Sequence, residues 1–261
     1  MTIPKGVVTS IIRPVPTVLG VVVTSAFILS DAHDAFPSSL EYGLAAKESM
    51  LVLAPLALAF SAMHGASSQR GTFATVLRSS PVGNGRLNVV SIAMCSASAC
   101  LVYIVALGLT GLYALFAGVY FNGLPLGALA PVAALPTFCT LGYLAGRRLP
   151  YRVTPFVLAA GGYVLLVAPL YAEGPWTRLW FIKQNSVSPW TRESAGNTAL
   201  QLLVFALLSL TAVLLVRWHD RLFIWPTVLL LLASAGTAGG AFAANQDGRT
   251  LNRPRFDAAA V

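Results

Sequence analysis

The chain reads as an all-α, polytopic membrane helix bundle of about seven spanning helices with its N-terminus inside. Three observations predict this. Apolar side chains make up 56% of its 261 residues and charged ones only 10%, at a mean hydropathy of +0.74, whereas a soluble domain uses about a quarter charged residues to cover its surface. Seven apolar stretches approach the about 20 residues that a spanning helix needs. Lys and Arg gather in the short connections between those stretches, as they do in cytoplasmic loops.

The opening segment, residues 1–14, mixes Val7, Val8, Ile11 and Ile12 with Lys5, Ser10 and Arg13. Two readings stand for it: an amphipathic helix along the inner interface, or a frayed start to the first span. The apolar runs then follow within a membrane domain over 15–244, from Val15 to Ser30, Met50 to Met63, Leu87 to Tyr120, Leu124 to Ala145, Pro155 to Tyr171, Ala199 to Val216 and Leu222 to Ala244. The second run is short, and Ala45 and Ala46 before it are apolar enough to lengthen it. The third is too long for one crossing. At about 1.5 Å per residue it overshoots a core of about 30 Å, so it is tilted, broken or projecting.

Orientation follows from the bases. With the N-terminus inside, the inner set holds Lys5, Arg13, Arg70, Arg78, Arg86, Arg147, Arg148, Arg152, Arg217 and Arg221, ten bases against one acid, Asp220. The outer set has seven bases and the other eight acids, Asp31, Asp34, Glu41 and Glu48 among them. Arg147, Arg148 and Arg152 lie within a few residues of helix ends, where the bias acts most strongly. An odd number of spans then leaves the tail, 245–261, outside. The first run lacks a cleavage site followed by a soluble domain, so it is expected to be retained.

Small residues recur at packing distance, Gly142 with Gly146 and Gly236 with Gly240, a spacing that lets helix backbones approach closely in lipid. Cys95, Cys100 and Cys139 all fall inside apolar runs, and their spacing fits neither a redox pair nor a zinc site. They read as small fillers of the bundle. The net charge of +8 forms no continuous basic face with interleaved aromatics, which argues against nucleic acid.

Two connections carry what functional signal there is. The cytoplasmic loop 66–86 reads ASSQRGTFATVLRSSPVGNGR. Ser68 or Thr72 is placed to cap a short helix in it, Phe73, Val76 and Leu77 give that helix one apolar face, and Pro81, Gly83 and Gly85 stop it. Either a soluble partner covers the face or it lies on the bilayer surface. The outer loop 172–197 carries Trp176, Trp180, Phe181 and Trp190. These read as interfacial anchors or as an aromatic substrate platform.

The pattern Gln69-Arg70-Gly71-Thr72 followed by Val76-Leu77-Arg78-Ser79-Ser80-Pro81, set between a helix pair and a long third helix, resembles the ABC-2 type permeases of high-GC Gram-positive bacteria, the actinobacterial ABC exporters. The likeness is specific over about Leu51 to Leu87 and diffuse elsewhere. It implies a six-helix core, here with one helix more, in the plasma membrane. It also implies that Arg70, Gly71, Thr72, Phe73, Val76, Leu77 and Arg78 form a coupling helix docking on a separate ATP-binding subunit. That subunit would hold ATP and Mg, leaving this chain without a cofactor, and a second permease copy or a homologous permease would complete the path. Trp176, Trp180, Phe181 and Trp190 would belong to short elements closing the path outside. Such families export peptides, antibiotics or lipids.

Known catalytic patterns are missing from the sequence. Neither Lys47 nor Lys183 stands in a glycine-rich phosphate loop. His33, His64 and His219 are too scattered for a metal set, His64 reading as a loop-border residue. No ionisable residue falls near the centre of a run, which disfavours a proton-driven carrier. The competing reading is a membrane anchor or assembly subunit that transports nothing and holds an extracellular partner.

Overall fold

The computed structural model describes residues 14–32, 39–69, 84–116, 126–171, 199 and 202–211. Among them every regular element is helical: α1 (Pro14–Ala32), α2 (Ser39–Glu48), α3 (Met50–Ser67), α4 (Asn84–Phe116), a 3-10 turn (Leu126–Leu129), α5 (Ala130–Arg148), α6 (Thr154–Tyr171) and α7 (Leu202–Thr211). The run Leu222 to Ala244, the tail 245–261 and residues 1–13 lie outside the described residues.

Among the described residues two helices are long and apolar enough to cross a membrane: Tyr42–Ser67, in which α2 continues into α3, and Asn88–Phe116 within α4. At 26 residues the first measures about 39 Å. Ala45 and Ala46 do lengthen it, both wholly or almost wholly buried, but they belong to the separate helix α2, joined to α3 at Ser49. The Ser49 hydroxyl donates to the Ala46 carbonyl at 2.7 Å, and the Ser49 carbonyl accepts from Val52 and Leu53 at 3.1 and 3.0 Å. The Ser49 N–H in turn donates to the Ala45 carbonyl at 3.0 Å, so both backbone groups of Ser49 are bonded across the junction. α4 runs for 33 residues, about 50 Å, so the long third run is one unbroken helix from Leu87 through Phe116, and residues 117–120 of that run lie outside the described residues.

Helix directions alternate. Gly20 of α1 lies against Val102 of α4, and further along Ile28 clusters with Ala114; α1 and α4 are parallel. Leu58 of α3 meets Gly142 of α5, and Ala62 meets Gly146, so α3 and α5 are parallel as well. α4 runs against both: Tyr103 reaches Ala46 and Ala128 near one end, while Asn88 meets Tyr143 near the other. The first four long helices therefore traverse the bundle back and forth.

α3 is the central column. Its packing against α5 is closer than side chains permit, because a Cβ on Gly142 would overlap the Leu58 carbonyl, one on Gly146 the Ala62 carbonyl and one on Gly65 the Tyr143 carbonyl. In lipid, where apolar transfer no longer drives association, this backbone-to-backbone contact is the attractive term. The expected Gly142/Gly146 pair thus packs, and on a parallel partner. The second pair, Gly236 and Gly240, falls outside the described residues.

Prolines inside helices account for one polar detail. Pro136 has no N–H to offer the Val132 carbonyl four residues earlier. The Cys100 thiol of α4 lies 3.5 Å from that freed oxygen. Cys95 and Cys139 are buried in the same core, all three cysteines being free thiols. They do fill the bundle, and Cys100 adds a weak donor where α5 needs one.

Candidate functional site

Two junctions of the bundle concentrate its buried polar groups. The first joins the last turn of α3, the first turns of α4 and the last turns of α5. Here Tyr143, with 1% of its surface exposed, donates through Oη to Oδ1 of buried Asn88 at 2.9 Å. Ser68, Ser91 and Arg147 stand close by the same phenol. Ser68 follows α3 directly and Asn88 lies four residues into α4, so a single side chain of α5 touches both flanks of the connection between those helices.

Local sequence explains how α3 ends there. Its last carbonyls would be orphans, but Ser67 Oγ donates to the His64 carbonyl at 2.8 Å and Ser68 Oγ to Gly65 at 2.6 Å, with backbone N–H groups of Ser68 and Gln69 reaching His64 and Ala66. The Ser68 hydroxyl thus closes the preceding helix, and the short helix that Ser68 or Thr72 was expected to cap falls outside the described residues. The loop boundaries move too, since α3 is helical through Ser67 and α4 begins at Asn84, taking Gly85 into a helix instead of a stop signal. His64 sits in the last turn of α3 with its ring edge-on to Phe60, centroids 4.7 Å apart, a border position as expected. Arg70, Gly71, Thr72, Phe73, Val76, Leu77 and Arg78 themselves lie outside the described residues.

The second junction lies at the opposite end, where α2, α4 and the 3-10 turn meet. Tyr42 donates to the Leu107 carbonyl and lies 3.1 Å from Thr110 Oγ1. The ring reaches the α4 backbone because position 111 is glycine; a Cβ there would stand 3.1 Å from the phenol oxygen. Tyr103 bonds the Ala128 carbonyl at 2.6 Å and lies 3.3 Å from that of Ala46. Lys47, one residue beyond, is 1% exposed. By sequence it counts among the bases outside the apolar runs; in the bundle it lies beside Ala46 near the end of α2 and is buried. Trp176, Trp180, Phe181 and Trp190 lie outside the described residues.

Among the described residues no group of three or more His, Cys, Asp or Glu is disposed to hold a metal. Among the described residues the chain is all-helical, with two helices long and apolar enough to cross a membrane. No protein-family model, curated protein or solved structure matches it.

Proposed function

We propose that this chain is the multi-pass, membrane-spanning subunit of an ABC exporter in the plasma membrane, with seven spans and its N-terminus inside. It moves a peptide, antibiotic or lipid-like substrate outward. The energy comes from ATP hydrolysed with Mg on a separate ATP-binding subunit, and a second permease copy or a homologous permease completes the path.

The observation that carries this reading is the stretch Gln69 to Pro81, with its likeness to the ABC-2 coupling segment, between α3 and α4. Both flanks of that stretch are bonded or packed to Tyr143 of α5. A push on it would be passed to α3, α4 and α5 at once, because the α3–α5 contact is backbone on backbone and has no flexible side chain to absorb the displacement. In this scheme Phe73, Val76 and Leu77 fill the docking cleft and Arg70 and Arg78 pair with its acids. Alternating directions of α1, α3, α4 and α5 support successive crossings.

The test is purification of the tagged full chain with its neighbours, followed by Leu77→Asp. The wild type should bring an ATPase with it. The variant should insert normally while ATP hydrolysis no longer drives transport. An undiminished transport rate in the variant removes the coupling assignment, and a stable complex without any ATPase favours the anchor or assembly reading instead.

A further inference from the structure

Between Glu48 and Glu173 the sequence contains no Asp or Glu, yet that stretch holds six arginines, Arg70, Arg78, Arg86, Arg147, Arg148 and Arg152. Three of them cluster where α5 passes into α6, Arg147 and Arg148 in the last turn of α5 and Arg152 in the connection. Arg148 and Arg152 are exposed and Arg147 is half-buried against the Tyr143 junction. Glu48, which precedes α3, stands at the far end of the parallel α3–α5 pair. The countercharge for this turn must come from outside the helices that form it.

Its apolar side chains narrow the source. Leu149, Tyr151, Val153 and Phe156 alternate with the arginines and are all exposed, Phe156 to 75%. In water such a set would be an unfavourable patch. At a bilayer surface the same set is stable, with apolar groups and the tyrosine ring among acyl chains and guanidiniums at the phosphate level. The planar guanidinium matches phosphate oxygens two at a time. A soluble acidic protein would satisfy the charges and leave the interleaved apolar groups uncovered.

We propose that the turn 147–153 is a binding site for an anionic phospholipid, Arg148 and Arg152 holding the headgroup phosphate and Leu149, Tyr151 and Phe156 lying along its acyl chains. The full chain, stripped of native lipid, is offered phosphatidylglycerol and phosphatidylcholine of identical chains, and retention is read by native mass spectrometry. Phosphatidylglycerol should be held preferentially. Arg148→Gln with Arg152→Gln should weaken that preference by about fivefold per charge removed, while the Lys pair at the same positions, which keeps the charge and loses the two-point match, should fall between wild type and the Gln pair. Excess inorganic phosphate should not displace the lipid; displacement by phosphate alone would point to a small-anion site and overturn the proposal. Equal retention of the two lipids, or a Gln pair that retains phosphatidylglycerol unchanged, overturns it as well. So does a Gln pair that loses a protein partner while keeping the lipid. Should the Gln pair fail to insert, Arg152→Gln alone and the shift in wild-type melting temperature between the two lipids decide the matter by the same criteria.

Discussion

Replacing Gly142 by alanine adds one methyl group at the tightest part of the bundle. The new Cβ would overlap the Leu58 carbonyl oxygen, with the carbonyl carbon at 3.0 Å and Cα at 3.1 Å. All three atoms are backbone, so no rotamer change relieves the contact and α3 must move away from α5. Overpacking of this kind costs about 1–3 kcal/mol, and the movement also loosens the neighbouring contacts at Gly146 and Gly65. Alanine raises helix propensity by about 0.8–1 kcal/mol over glycine, which would mask part of the effect. Gly161 of α6 supplies the control, because a Cβ there meets nothing within 4 Å. Gly161→Ala carries the same propensity gain with no clash, so the difference between the two variants isolates the crossing. That difference should be about 1–3 kcal/mol, with Gly142→Ala the less stable. Thermal denaturation of both variants in the same detergent and lipid, followed by loss of the monodisperse peak on size exclusion, gives the ranking. Equal melting of the two would refute a backbone-to-backbone crossing of α3 and α5.

The two polar junctions yield matched predictions. Tyr143→Phe leaves the Asn88 amide oxygen buried without its donor and should destabilise by about 1–2 kcal/mol. In a double-mutant cycle with Asn88→Ala the coupling should be about 1 kcal/mol, and additive losses would mean that the bond contributes nothing. At the opposite end Gly111→Ala should push the Tyr42 phenol off the Leu107 carbonyl, at a cost of about 1 kcal/mol. Combined with Tyr42→Phe it should cost little more than either change alone, by the same melting assay, whereas full additivity would separate the glycine from the tyrosine.

Membrane character was legible from composition because lipid demands that most side chains over a long run be apolar and uncharged, and Asn88–Phe116 contains no charged residue over 29 residues at a mean hydropathy of 2.2. Helix ends were less legible. The run Met50 to Met63 ends by sequence at Met63 since His64, Ser67 and Ser68 are polar, yet those serines turn their hydroxyls back onto the carbonyls of His64 and Gly65 and so keep α3 helical to Ser67. A polar residue near a helix end serves equally to close that helix or to begin the next element, and only the hydrogen-bond partner separates the two uses.

The same reasoning explains which parts of the junctions escaped notice. Gly142 and Gly146 announce by their spacing that a backbone comes close, but the spacing is silent on whose; the answer is Leu58 and Ala62, 84 residues earlier in each case. Tyr103 and Tyr143 sit in apolar runs where a tyrosine reads as interfacial, yet both are at most 1% exposed, their hydroxyls placed on partners that long-range packing supplies. Pro136 does predict from sequence that the Val132 carbonyl loses its donor, while nothing local predicts that Cys100 answers it. The residues from Arg70 to Arg78 differ in kind. They lie outside the described residues, and in sequence Phe73, Val76 and Leu77 stand between arginines in a stretch, 49–172, that contains no Asp or Glu, so nothing in the chain's own sequence tells what they face.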